Sequence, residues 1–314
     1  MAQPTEYFNT KVIVNDMEKA LGFYQDFLGL RARSQRIITP GIAEVGVYER
    51  LFGVRSPHFW EISMETDPEL HRGVTLIQWY SPQGKPRDQN LRMCDPGFAW
   101  VGIPLQVPPR KELRTTYERA PHSLINKFIS PPMHLTGLPD TYRCCFCYDP
   151  DGNLVELTTN DHLSTVVKDM DRMLAFYRDT LGLKVGFDDT VTPDSLRGRE
   201  YEMLLGIPTP HVRVVRLFCE NDLASRNGGI EFLQWFSPQG QPLEGKRNIW
   251  DVGPRFAAIM VRNLDAVYDE LVGKGIECFS PSVEHGAWKA LFLYDPEGNI
   301  FELIDDVSHQ DMRR

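Results

Sequence analysis

The sequence predicts an α+β chain assembled from two copies of one design, each reading strand, helix and three strands, followed by a weaker second round of the same order. Three observations carry this expectation. Segments recur in the same order at an offset near 153 residues, as from Lys11 to Ser164. Each copy holds one clear amphipathic helix followed by runs rich in β-branched and aromatic residues. Each copy also closes on nearly the same phrase, YDPDGNLVEL from Tyr148 and YDPEGNIFEL from Tyr294.

KVIVNDMEKALGFYQDFLGLRA from Lys11 matches STVVKDMDRMLAFYRDTLGLKV from Ser164. Val12 to Val14 is a short β-branched strand signal. After it, Met17, Ala20, Leu21, Tyr24, Phe27 and Leu28 recur at helical spacing. Asp16 and Asp169 stand where an N-cap belongs, and Gly29 and Gly182 where a left-handed residue ends a helix. YERLFGVRSPH (Tyr48 to His58) then pairs with YEMLLGIPTPH (Tyr201 to His211). WEISME, TLIQWY, VRVVRLF and EFLQWF read as strands punctuated by SPQG turns. DPGFAWVGIPL around Phe98 pairs with GPRFAAIMVRN around Phe256. A second helix is expected in the second copy, where Leu264, Val267, Tyr268, Leu271 and Val272 are helically spaced. Its counterpart, VPPRKELRTTYERAPHS, is broken by prolines and should be distorted. DPDGN and DPEGN read as tight turns whose glycine accepts a positive φ. The copies span residues 1–159 and 160–314, joined near Asn160 and Asp161.

Composition narrows the function. The 314 residues are 42% hydrophobic and 25% charged, enough to bury one large or two medium cores. Apolar runs such as Phe256 to Met260 fall far short of the roughly 18 residues a membrane helix needs. The N-terminus carries no secretory signal, and six cysteines in this length do not make a disulfide framework, so a cytoplasmic setting is expected. Net charge is -9 with scattered basic residues. Nucleic acid is set aside as a partner, and a small molecule is expected instead.

The helix phrase AFYRDTLGL, the strand IEFLQW and the closing DPEGNIFEL together resemble the vicinal oxygen chelate superfamily, which includes glyoxalase I, extradiol dioxygenases and bleomycin-binding proteins. The resemblance covers nearly the whole chain. It implies tandem domains of paired βαβββ modules, each forming a curled mixed sheet around a cleft, with metal ligands on the first and fourth strands of each module. Carried onto this sequence, those positions are His162, Glu231, Phe256 and Glu302 in the second copy, and Asn9, Thr75, Phe98 and Glu156 in the first. The resemblance thus implies a catalytic C-terminal domain and a degenerate N-terminal one. His162, Glu231 and Glu302 would hold a divalent ion (Zn, Fe, Mn, Ni or Mg), and Glu231 or Glu302 would act as base. Alternation along Ile230-Glu231-Phe232 sets Glu231 on the face opposite its two neighbours.

Phe256 departs from the family, which places His there, and so disfavours the iron-binding triad of two His and one carboxylate. His285, in an EHG phrase, is a candidate replacement ligand, and Tyr294 a candidate hydrogen-bond donor to a bound oxygen. His58 and His211 are repeat mates read as structural, and Cys144, Cys145 and Cys147 as free thiols in a strand. Three functions remain open: a glyoxalase-like lyase or isomerase acting on a small oxygenated substrate, an extradiol-type dioxygenase acting on a catechol, and a metal-free binding protein for an aromatic compound. The chain is expected as a monomer or homodimer.

Overall fold

A computed structural model of the chain describes residues 3–67, 72–88, 90–105, 113–125, 127–136, 143–158, 161–223, 228–241 and 247–306. The junction residue Asn160 and residues 107–112 of the proline-broken stretch lie outside the described residues. Four βαβββ modules follow one another. The first comprises β1 (Pro4–Val14), α1 (Met17–Leu21), β2 (Arg31–Ile38), α2 (Val45–Phe52), β3 (His58–Asp67) and β4 (Arg72–Ser81). The second has β5 (Ala99–Pro104), two short helices α3 (Leu113–Glu118) and α4 (His122–Ile125), β6 (Met133–His134), β7 (Arg143–Tyr148) and β8 (Leu154–Thr158). The third repeats the first: β9 (His162–Val166), α5 (Met170–Leu174), β10 (Lys184–Val191), α6 (Leu196–Leu205), β11 (His211–Phe218) and β12 (Ile230–Ser237). The fourth has β13 (Gly253–Val261), α7 (Leu264–Gly273), β14 (Val283–His285), β15 (Trp288–Tyr294) and β16 (Ile300–Asp306). No helix among the described residues is long and apolar enough to cross a membrane.

The repeated phrases have local physical reasons. Asp16 and Asp169 cap α1 and α5 by accepting from the backbone N–H of Lys19 and Arg172 at 3.2 and 3.0 Å, contacts worth about 1 kcal/mol each. Gln78 and Gln234, from the LQW phrases, reach the same helix starts. Their Oε1 atoms accept from the Met17 and Met170 backbone N–H, and their Nε2 groups donate to the Asn15 and Lys168 carbonyls. Both helices then widen into a π-helical turn, over Gly22–Phe27 and Ala175–Thr180, in which the Leu28 and Leu181 N–H groups bond the carbonyls five residues back. The wider turn sends two adjacent aromatic residues inward. Tyr24 is fully buried and donates to Asp149 at 3.1 Å; Tyr177 donates to Asp295 at 3.2 Å. The FY and DP-x-GN phrases are therefore two ends of one buried contact, which ties the first module of each copy to the second.

The sheets are assembled differently from the copies. One eight-stranded sheet runs β14-β15-β16-β13-β1-β4-β3-β2, and the other β10-β11-β12-β9-β5-β8-β7-β6. Each curled mixed sheet therefore joins a module from one copy to a module from the other: the first with the fourth (sheet A), and the second with the third (sheet B). The central pairs are antiparallel, β1 with β13 and β5 with β9. Cores within each copy lie between the two sheets, as where Val12 and Leu76 of sheet A share a cluster with Val101 and Val155 of sheet B. The other face of each sheet carries its own cluster, around Trp100, Leu233 and Trp235 in sheet B and around Phe59, Phe256 and Phe292 in sheet A. These faces form the clefts.

Candidate metal centre

β-Strand alternation sorts side chains between the shared core and the clefts. On β12, Ile230 and Phe232 enter the core between the sheets, while Leu233 and Trp235 join the cleft-side cluster. Glu231 lies opposite Ile230 and Phe232, as the alternation predicts. It meets His162 of β9 and Glu156 of β8. One ligand atom from each of the three lies within 4.8 Å of the others, the one such His/Cys/Asp/Glu group among the described residues. His162 and Glu156 are 1% and 4% exposed. His162 Nε2 stands 3.0 Å from Glu156 Oε2, which also accepts from Trp100 Nε1 at 3.2 Å. Ser164 Oγ donates to Glu231 Oε1 at 3.0 Å. The His162 ring packs over Gly102, its partner across β5 and β9, where a Cβ would overlap the imidazole. A glycine at that point is what lets the ring lie flat against the sheet.

One imidazole nitrogen and two carboxylate oxygens, buried within reach of a common centre, fit a divalent ion. Left alone, the buried Glu156 beside the half-buried Glu231 would be costly, and the surrounding Ser164 and Trp100 donors offset only part of that cost. The wall beside them stays protonated. Burial, with Glu156 close by, pushes the Cys144 thiol well above its ordinary range, and burial near Glu231 does the same to the Tyr201 hydroxyl.

The residues expected to form one centre divide between two sheets. His162 and Glu231 come together, but their third partner is Glu156 of the first copy, and Glu302 lies across the molecule in sheet A. The strand pairings explain why. Glu156 stands beside Gly102 on β8 and β5, and Glu302 beside Ala258 on β16 and β13. Because each sheet pairs modules from different copies, a centre draws on both. The same pairings correct the second module's first-strand position: Trp100, opposite Ser164, and not Phe98, corresponds to Phe256, opposite Lys11. The two-residue slip keeps the side chain on the same face, so alternation alone does not reveal it. Trp100 was missed for that reason, and Glu156 because it was read only within its own copy.

The equivalent positions in sheet A are Asn9, Thr75, Phe256 and Glu302. They border a cavity of about 350 Å³, which His285 also lines. His285 is therefore beside Glu302 and away from His162. Its ring lies 5.2 Å from that of Tyr48, and burial together with Arg36 lowers its pKa. Tyr294 is at neither group: its ring packs on Phe279 at 4.6 Å and its hydroxyl donates to the Arg247 carbonyl at 3.5 Å. His58 and His211 stack on Tyr80 and Phe236 in matching places, and the three clustered cysteines are buried free thiols on β7.

Comparison with solved structures agrees with this architecture. Glyoxalase I from Zea mays superposes with a TM-score of 0.62 at 13% identity, covering 98% of this chain and 94% of that one. A putative dioxygenase from Bacillus subtilis superposes at 0.56 with 13% identity, covering 99% and 89%. At such identities the likeness concerns the fold. No curated protein matches the chain in sequence. The family model described as Glyoxalase/Bleomycin resistance protein/Dioxygenase superfamily matches residues 7–157 and again 159–303, and the chain belongs to that superfamily.

Proposed function

We propose that the chain is a metal-dependent enzyme of glyoxalase-like lyase or isomerase type, acting on a small oxygenated organic substrate at Glu156, His162 and Glu231. The observation that supports this reading is the Glu-His-Glu group, buried at Glu156 and His162, with its ligand atoms within 4.8 Å. A divalent ion held there would polarise two neighbouring substrate oxygens and acidify the adjacent C–H bond. One imidazole with two carboxylates favours this Lewis-acid role over the two-histidine set of ring-cleaving iron enzymes.

The protein groups divide the remaining work. Glu156 Oε2 is fixed by Trp100 Nε1 and contacts His162, which makes it an anchor. Glu231 is less buried, and the Ser164 hydroxyl engages its Oε1, leaving Oε2 to take the substrate proton as general base and return it to the neighbouring carbon. Tyr201 and Cys144, kept neutral, add no competing charge. In this reading residues 1–159 and 160–314 are units of sequence duplication that supply one centre jointly, Glu156 coming from the first and the other two from the second.

The test is deuterium exchange into a panel of α-hydroxyketones, followed by NMR, with chelator-stripped protein reloaded with Zn, Ni, Mn or Mg. Ion-dependent exchange that is lost in Glu231→Gln, even with added ion raised to saturate the variant, is expected. Exchange indifferent to added ions, or a Glu231→Gln variant as active as the parent, would end the proposal.

A further inference from the structure

Sheet A has kept a cleft while losing the ligand set. At its floor Asn9 and Glu302 are each 7% exposed, and each buries one oxygen, Asn9 Oδ1 and Glu302 Oε2, without a hydrogen-bond partner. Asn9 is not free to rotate away from this, because its Nδ2 donates to Thr75 Oγ1 at 3.1 Å. Two buried, unpaired acceptors at the base of a cavity are costly unless a donor is brought to them. Both residues line the cavity of about 350 Å³, and a cavity of roughly 150 Å³ already admits benzene.

The rest of the lining says what kind of donor. Three cationic side chains (Lys11, Arg33, Arg36) and three carboxyl groups (Glu61, Glu65, Glu302) share the wall, which favours an uncharged guest over an ion of either sign. Arg36 is already engaged, by Glu61 at 3.0 Å and by the Tyr48 hydroxyl at 2.5 Å. Lys11 holds the strand position that Ser164 occupies in sheet B, with Thr75 beside it as Glu231 is beside Ser164. A protein-borne cation there is positioned to donate to a ligand oxygen. The opposite wall is apolar: Phe256 meets Phe292 edge-on at 5.0 Å and Phe52 meets Phe292 at 5.4 Å. Among the described residues no His/Cys/Asp/Glu group here is spaced for an ion.

We propose that the sheet A cavity is a second ligand site, working without metal, that takes an uncharged hydroxylated aromatic or cyclic molecule whose hydroxyl sits between Asn9 Oδ1 and Glu302 Oε2, donating its one proton to either, and whose ring lies against Phe256 and Phe292. Burial pushes the Glu302 carboxyl up to about 7, against the pull of Lys11 and Arg36. A hydroxyl, which both donates and accepts, suits either of its protonation states.

The test uses the full chain, stripped of metal by chelator, with benzyl alcohol and toluene as matched probes followed by ligand-observed NMR and calorimetric titration. Benzyl alcohol is expected to bind about tenfold more tightly than toluene, and Glu302→Ala or Asn9→Ala to bring the two together. His162→Ala, which disables the other cleft, is expected to leave that preference intact. Phe256→Trp, which fills the cavity and keeps the acceptors, is expected to reduce binding of both probes and so serves if Glu302→Ala does not fold. Equal affinity for the two probes, a requirement for added divalent ion, or loss of the preference in His162→Ala would overturn the proposal.

Discussion

The two clefts are built on equivalent strands in equivalent register, yet one gathers His162, Glu231, Glu156 and Trp100, and the other Asn9, Thr75, Glu302 and Phe256. The backbone is shared and the chemistry is not. Sheet B concentrates candidate ligand atoms in a small volume. Sheet A retains one carboxylate at these positions, surrounds it with side-chain charges and aromatic rings, and keeps the space. The difference shows how little of a metal centre the scaffold itself specifies. In the proposed reading, four side chains projecting from fixed strand positions decide whether a cleft concentrates charge for an ion or disperses it for a neutral guest.

Several substitutions put pressure on that contrast. His162→Ala should lower divalent-ion affinity by more than about 100-fold and abolish the rise in melting temperature on adding the ion, read by calorimetry. The converse experiment grafts the missing donors into sheet A: Asn9→His with Thr75→Glu, alongside Glu302, should raise the ion stoichiometry from one to two. An unchanged stoichiometry would mean that the clefts differ in more than these positions. Ser164→Ala frees Glu231 Oε1 and should weaken ion binding by about 10- to 100-fold, with little change in stability without ion.

A smaller effect separates the clefts by pH. Glu302 is held near 7, against an ordinary value of 4.5, so between these values the folded chain keeps a proton that the unfolded chain has lost. Its contribution to stability therefore declines as pH rises through this window and is level below it. Glu302→Gln removes the titration and should gain on the parent between pH 4.5 and 7 by on the order of 2 kcal/mol, seen as diverging melting temperatures. Identical pH profiles would show that Glu302 ionises freely. The smallest difference is expected where the copies agree: Tyr24→Phe and Tyr177→Phe each remove a buried hydroxyl from an aspartate and should each cost about 1 to 3 kcal/mol. A large disparity between them would reveal a mechanical asymmetry between the copies.

Much of this was legible in the sequence. The offset between Lys11 and Ser164 revealed the duplication, the Asp16 and Asp169 caps fixed where the helices begin, and alternation put Glu231 on the correct face. Each of these signals is local, so neighbouring residues are enough to read it. Partnership between modules is not local. Nothing in the periodicity of β16 says whether the module that carries Glu302 shares a sheet with the third module or with the first, and the grouping of His162 with Glu302 failed on that point. The exchange of Phe98 for Trp100 failed for a related reason, since a shift of two residues preserves every inward and outward assignment.

The way the sheets are shared between copies also orders the events of synthesis. The central pair of sheet B joins Gly102 to His162, so it can close while the fourth module is still in the ribosome. The central pair of sheet A joins Asn9 to Ala258. β1 must wait for β13 before its second edge is covered, a long-range closure of the kind that slows folding. The candidate metal centre, drawn from β8, β9 and β12, can thus close before β13 exists, while one edge of β1 stays open to other strands until β13 is made.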